Sequence, residues 1–262
     1  MTDWLIVVPL GGILGFLIGL TGVGGGALVA PSLYVILGLN YGDAIALSLV
    51  YSLFTKIVGA AQHIWQGTVL WKLTLLYGLA GVPGAIVGSH AIYRVGPAAE
   101  RVFPYVMAAL LATVALLILA ETAIRDLARR DKPFSPHELT PAAIGVVLII
   151  QVIVGLLLGV TSVGSGSLVI LSMLYLFRMS AQQIVGSNLV IALIMVIPAG
   201  LTHFGLGGVS PSLLALLLVG SLIGTLLGAR TALRLPAWAL KLVIVVLIMA
   251  GAVATVLKAS YR

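Results

Sequence analysis

A lysine stands among small polar residues in an otherwise apolar stretch. Lys56 lies within DAIALSLVYSLFTKIVGAAQH, residues 43–63. Small polar residues recur there at steps of three and four and therefore share one helix face, which Lys56 borders: Ser48, Ser52, Thr55, Gly59 and His63. An ammonium beside hydroxyl groups can hold an anion, and an ionisable residue in so apolar a stretch is a functional candidate. The alternative is that Lys56 extends its stem towards a polar interface.

Two glycine-rich stretches interrupt apolar runs, GLTGVGGGALVA at 19–30 and GVTSVGSGSLVI at 159–170. Glycine allows φ > 0 and lets a ligand approach the backbone. The helical arm after each break begins with unpaired N–H groups, and a helix N-terminus favours an anion. We therefore predict a binding site at the breaks and the helices that follow them: Thr21, Gly24, Gly25, Gly26, Ser48, Ser52, Lys56, Thr161, Gly164, Ser165, Gly166, Ser167 and Asn188.

The alternative for the glycines is close helix packing without a ligand. We expect that role for Gly11, Gly15, Gly19, Gly84 and Gly88, and we expect alanine to be mild at Gly15 because the backbone there should be ordinary helix.

Two histidines, His63 and His203, each lie at a predicted helix end, four residues before a glycine. One interpretation is that each ring satisfies the last carbonyls of its helix. The other is that they couple transport to protons, since histidine titrates near neutral pH.

The composition places these residues in a membrane. Of the 262 residues, 61% are hydrophobic and 8% are charged, and Trp4 to Gly42 contains no charged residue. A bilayer core about 30 Å thick needs roughly 20 apolar residues per helix. We expect a multi-pass protein of the cell membrane, in a bacterium the inner membrane, whose first segment is a membrane helix and not a signal peptide.

Cysteine is absent, which excludes thiol chemistry, and the scattered histidines predict no metal site and no cofactor. We attribute the net charge of +7 to membrane orientation and not to nucleic-acid binding. The expected partners are a small anion and membrane lipid, and a homodimer is one assembly that we consider.

The chain contains an internal repeat. Residues 19–69 aligned without gaps to 159–209 share 15 identities in 51 positions, including His63 with His203. We infer two homologous transmembrane halves, 1–122 and 140–262, joined by a charged linker at 123–139. Each half has a glycine-broken segment, 4–38 or 142–177, followed by three apolar stretches. These are residues 43–63, 73–92 and 102–120 in the first half and 182–203, 212–232 and 237–257 in the second.

The orientation of the halves depends on whether the broken segments cross the membrane once or return as re-entrant hairpins. With single crossings, the loop Lys and Arg residues divide seven to six between the two sides. With hairpins they divide nine to four, and the side with nine includes the linker. Basic loops favour the cytoplasm. The predicted fold is therefore an all-α membrane protein of two inverted repeats, each a re-entrant helical hairpin plus three transmembrane helices, with a cytoplasmic linker.

The duplicated motifs resemble the TauE/SafE family of sulfite exporters. The first copy reads GVGGG (22–26), ALSL (46–49) and HIWQGTV (63–69), and the second SVGSG (162–166), GSNL (186–189) and HFGLGGV (203–209). The resemblance implies transport of small sulfur-containing anions such as sulfite, sulfoacetate and other organosulfonates. The second copy departs from the pattern, because serines replace two glycines and Asn188 replaces a serine.

We therefore predict a secondary transporter, with export the expected direction, that binds its anion between the two glycine-broken helices at the membrane midplane. A passive anion channel is the nearest alternative. A membrane-embedded enzyme is a further one, but it would need convergent catalytic groups inside the bilayer, and the apolar segments carry no Asp or Glu pair.

Overall fold

A computed structural model of the chain describes residues 4–21, 26–127, 139–205, 210–232 and 237–261. These residues form ten α-helices and a short 3-10 helix at Gly96–Ala98. The α-helices are α1 Trp4–Thr21, α2 Gly26–Val35, α3 Tyr41–Trp65, α4 Trp71–Val95, α5 Ala99–Leu127, α6 Pro141–Thr161, α7 Ser167–Leu176, α8 Ala181–Gly205, α9 Pro211–Ala232 and α10 Ala237–Ser260.

Seven helices of the described part are long and apolar enough to cross a membrane: α3, α4, α5, α6, α8, α9 and α10. Six of them confirm the apolar stretches predicted from the sequence, with ends that extend into more polar residues. The chain is thus an all-α, multi-pass membrane protein.

The seventh candidate span, α6, is longer than we expected for one arm of a broken segment. Its 21 residues measure about 31 Å at 1.5 Å per residue. The arm that follows the second break, α7, has only ten residues. The two arms are therefore unequal in length. The sequence did not predict this difference, because an apolar run gives no signal of where inside it a helix will end.

Corresponding helices of the two halves begin with similar caps. The Asp43 N–H donates to Asn40 Oδ1 at 2.8 Å at the start of α3. At the start of α8 the Gln183 N–H donates to Ser180 Oγ at 3.2 Å, and Gln183 Oε1 accepts from the Ser180 N–H at 3.0 Å. These side chains satisfy backbone donors that a helix start leaves unpaired. Asn40 and Ser180 stand 140 residues apart, the offset of the repeat.

Two helix pairs, α1 with α9 and α4 with α6, pack through small residues at backbone distance. A Cβ added at Gly84 or Gly88 would collide with the backbone of α6, and one at Gly11 with the backbone of α9. The predicted packing role of these glycines is confirmed. The expectation that alanine is mild at Gly15 is wrong, because a Cβ there would meet the backbone of Ser221.

The packed residues also give the relative directions of the helices. Gly155 faces Gly81 and Gly159 faces Ala85, so α6 and α4 run in the same direction. The helices α1 and α9 are also parallel, and so are α4 and α8, because successive residues of one helix contact successive residues of the other. In contrast, α3 and α8 are antiparallel, because Gly59 lies against Leu189 whereas Gly200 lies against Val50. About three fifths of the apolar spanning segment is buried in each of these two antiparallel helices, 62% in α3 and 61% in α8.

Candidate functional site

A small polar cleft lies where α2, α3 and the second break meet. We call it the central cleft, and its lining consists of Gly26, Ala27, Lys56, Ser162, Val163, Gly164, Ser165, Gly166 and Ser167. Its volume is about 20 Å³, which is room for little more than one water molecule, since a water needs roughly 10–15 Å³. The described lining of the cleft is therefore narrow and mostly polar.

The second break has a backbone that differs from helix at two positions. Ser162 has φ 59° and lies in the left-handed region, while Gly164 has φ 114°. A left-handed conformation is uncommon for a residue with a Cβ. The Ser162 hydroxyl lies 3.0 Å from Ser48 Oγ in α3, a hydrogen bond that helps to hold the residue there.

The first residue of α2 touches this break. A Cβ at Gly26 would collide with the carbonyl of Ser162, so no larger residue fits between the two backbones. The start of α2, in the first half, and the second break therefore lie against each other, as a site between two broken helices requires.

The end of α6 exposes carbonyl groups that a continuing helix would have satisfied. The last helical bond runs from the Ser162 N–H to Leu158 O at 2.7 Å. Beyond it, Gly159 O accepts from His203 Nε2 at 3.3 Å and Val160 O from the Tyr41 hydroxyl at 2.9 Å. Buried backbone groups need such partners. Side chains of α3 and α8 thus satisfy the carbonyl groups at the end of α6.

Lys56 places its ammonium inside the protein. The residue is 7% exposed and its Nζ donates to Ser52 Oγ at 3.1 Å. No carboxylate belongs to the described residues that line the central cleft. Lys56 therefore lies in the cleft and does not extend to the interface, which decides against the alternative that the sequence left open.

The structure brings many of the predicted site residues together. Gly26, Lys56, Gly164, Ser165, Gly166 and Ser167 line the cleft. Ser48 and Ser52 contact it through Ser162 and Lys56. Thr161 ends α6, where its hydroxyl donates to Leu157 O at 2.6 Å. Asn188 is buried, but it is not part of the lining. Gly24, Gly25 and the Thr21 side chain lie outside the described residues.

Sequence reasoning missed Ser162, Ala27 and Val163 in the lining and Tyr41 beside it. The SVGSG motif could have identified Ser162, because a serine there replaces a glycine of the first copy. No sequence signal points to Tyr41, whose role depends on the contact between α3 and the end of α6.

Neither histidine ring satisfies the last carbonyls of its own helix, so the capping interpretation is wrong. His63 Nδ1 bonds the Thr68 hydroxyl at 2.9 Å, and it is Thr68 that donates to the His63 carbonyl. His203 reaches across to the carbonyl of α6 through Nε2, while its Nδ1 lies 3.0 Å from the Tyr93 hydroxyl. A carbonyl can only accept, so His203 Nε2 carries the proton of that bond. Proton coupling stays a prediction for both residues.

Comparison with known proteins identifies relatives over nearly the whole chain. The sequence pattern described as "Sulfite exporter TauE/SafE" matches residues 6–255. The probable membrane transporter protein YjnA of Bacillus subtilis (strain 168) is 35% identical over 229 residues, which cover 86% of this chain and 88% of YjnA. YdhB of the same organism, also named a probable membrane transporter protein, is 25% identical over 87% of this chain and 90% of its own length.

A further probable membrane transporter protein, from Xylella fastidiosa (strain Temecula1 / ATCC 700964), is 27% identical over 71% of this chain and 68% of its own. No solved structure matches the chain at a significant level. Because the family pattern covers almost every residue, the chain belongs to the sulfite exporter TauE/SafE family.

Proposed function

We propose that this membrane transporter is a secondary exporter of small sulfur-containing anions, such as sulfite or an organosulfonate, and that the central cleft binds the anion. Membership of the sulfite exporter family supports the substrate class. The observation that carries the proposal is the buried ammonium of Lys56 in a hydroxyl-lined cleft without a carboxylate.

The cleft offers an anion three kinds of donor. Lys56 supplies a full positive charge, and an ammonium has two N–H groups beyond the one that Ser52 accepts. Ser162, Ser165 and Ser167 supply hydroxyls. The starts of α2 and α7 supply backbone N–H groups, and no side chain caps α7. Hydrogen bonds to a charged partner contribute about 1.5–3 kcal/mol each, net of the exchange with water.

We further propose that the two halves are inverted repeats whose broken segments are re-entrant hairpins. The helix directions support this arrangement. Because α6 and α8 both run parallel to α4, we propose that both enter the membrane from the same side and that the segment between them, which contains α7, returns. The antiparallel packing of α3 on α8, the equivalent helices of the two halves, fits an inverted relation.

The narrow cleft favours a transporter over the passive channel. A sulfonate is larger than one water molecule, and we propose that the hairpins move to admit it. In inverted-repeat transporters, the site between discontinuous helices opens alternately to the two sides. We propose that one hairpin separates from the other on each side in turn.

Transport by purified protein in proteoliposomes tests the proposal. We expect Lys56→Met to raise the apparent Kd for sulfite about tenfold or more, because each 1.4 kcal/mol is a factor of ten. Lys56→Arg should retain more affinity than Lys56→Met. Lys72→Met is the matched control, since it removes an exposed charge at the start of α4 and should leave affinity unchanged.

The same vesicles distinguish a transporter from a channel. A proton gradient, imposed with the membrane potential clamped, should drive sulfite accumulation against its own gradient if transport is proton-coupled.

Unchanged sulfite affinity in Lys56→Met would remove the central cleft from the transport site.

A further inference from the structure

We propose that the central cleft selects singly charged oxyanions and discriminates against doubly charged ions of similar size. This inference rests on the proposed function and narrows its substrate class. It favours a simple alkanesulfonate or the singly protonated form of sulfite over sulfate or sulfoacetate.

The charges of the lining carry the first step. Lys56 is the one ionisable side chain among the nine lining residues. A singly charged anion therefore meets one compensating charge. A doubly charged anion would bring in a second negative charge for which the described lining offers no second cation, and an unpaired buried charge is strongly unfavourable.

Helix N-termini do not change this balance. The starts of α2 and α7 both reach the cleft and add partial positive charge. The interaction with a helix end is nevertheless several times smaller than the cost of desolvating a charge. Each of these two helices also has only ten residues. The helix ends can orient an oxyanion beside Lys56, but they do not replace a second cation.

The hydroxyls of the lining suit a monoanion in a second way. A serine hydroxyl both donates and accepts, whereas an ammonium or a backbone N–H only donates. Ser162 and Ser165 occupy positions where the first copy of the motif has Gly22 and Gly25. They can therefore donate to sulfonate oxygens and also accept from a protonated oxygen of the ligand, which a lining of donors alone could not do.

The positive charge of Lys56 has no counterpart at the corresponding position of the second half. Val196 stands where the second half should carry the equivalent of Lys56, and it is fully buried. Val196 is not part of the described lining of the cleft, which therefore carries one lysine.

Ligand stabilisation of the purified full-length protein tests the inference, because an ion that binds the folded state raises the unfolding temperature with its concentration. Methanesulfonate and sulfate are compared at pH 7 and constant ionic strength, since both have fixed charge there. Ethanesulfonate and sulfoacetate form a second pair that differs mainly by one carboxylate. We expect each monoanion to bind about tenfold or more tightly than its dianion, which corresponds to about 1.4 kcal/mol or more in binding free energy.

Variants then connect the preference to Lys56. Lys56→Met should weaken methanesulfonate binding, while Lys72→Met should not. The wild-type comparison of each pair decides the matter if Lys56→Met does not fold. Equal binding of both members of each pair, or tighter dianion binding, would overturn charge selection and leave anion transport standing. Binding of none of the four anions, with no sulfite transport, would overturn both.

Discussion

At the scale of single residues, the site depends on side chains that satisfy the backbone where α6 ends. Tyr41 and His203 come from different helices, yet both donate to consecutive carbonyls of α6. A glycine-rich sequence permits a break, but it supplies no side chains to satisfy the freed groups. The neighbouring helices must therefore supply them, and these residues are as much part of the break as its glycines.

Removing the Tyr41 hydroxyl should destabilise the protein. Tyr41 is fully buried, and Tyr41→Phe would leave Val160 O without its donor. A buried polar group left unsatisfied costs about 1–3 kcal/mol. We expect a clearly lower midpoint of thermal unfolding in detergent.

Tyr105→Phe is the control for that change. The Tyr105 hydroxyl lies 3.3 Å from Ser260 Oγ at an exposed position, where substitutions usually stay within about 0.5 kcal/mol. Equal unfolding midpoints for the two variants would show that the α6 carbonyl does not need Tyr41.

Residue identity alone could not have placed Lys56. The sequence left its interface position open, because the stem of a lysine is long enough to leave an apolar helix face. The answer depends on what packs beside α3, and that is the second break, more than 100 residues away in the chain. The motifs predicted that both segments matter, but the contact between them is a tertiary fact.

At the scale of elements, the helices follow from hydrophobicity while their spacing follows from glycine. Apolar runs of spanning length predicted six helices correctly. The close pairs α1 with α9 and α4 with α6 were not predicted, because a glycine shows that a close approach is allowed and not which helix makes it. The misjudged effect of alanine at Gly15 has this origin, since the backbone of α9 lies against that position.

Two glycines of α6 should respond to alanine in opposite ways. At Gly155 a Cβ would collide with the backbone of Gly81 and Ala85, whereas at Gly145 no atom lies within 4 Å. Gly155→Ala should destabilise by about 1–3 kcal/mol through overpacking. Gly145→Ala should stabilise by up to about 1 kcal/mol, because alanine is the better helix former.

Both variants are measured by thermal unfolding in the same detergent. They change the same helix by the same methyl group, so any general effect of alanine cancels in the comparison. If Gly155→Ala unfolds at or above the wild-type temperature, α4 and α6 do not pack at backbone distance.

At the scale of the whole molecule, the two halves share an architecture but differ in chemistry. Equivalent helices carry comparable caps, and the breaks occupy equivalent positions. In contrast, Lys56 and Tyr41 have Val196 and Ala181 as their counterparts. The repeat is a prediction from the sequence, based on glycine and histidine that recur at one offset. The assembly of the cleft could not be predicted, because it combines α2 and α3 of one half with the break of the other.

Cysteine labelling of this cysteine-free chain tests the inverted arrangement. If the segment between α6 and α8 returns, Ser180 lies on the same side of the membrane as Gln66, and Ser210 lies on the side of Asn40. The excess of basic residues predicts that Gln66 and Ser180 face the cytoplasm. In intact cells, a membrane-impermeant maleimide should therefore label Asn40→Cys and Ser210→Cys, and it should label Gln66→Cys and Ser180→Cys only after the membrane is permeabilised.

The positions in the first half serve as the reference, because the helices between Asn40 and the linker are three ordinary spans in either topology. The positions in the second half decide the question. If α6 and α7 together crossed the membrane once, Ser180 would be labelled from outside and Ser210 from inside, with the linker still cytoplasmic. That exchange of labels would make the halves parallel repeats, and the two helix starts at the central cleft would no longer approach it from opposite sides.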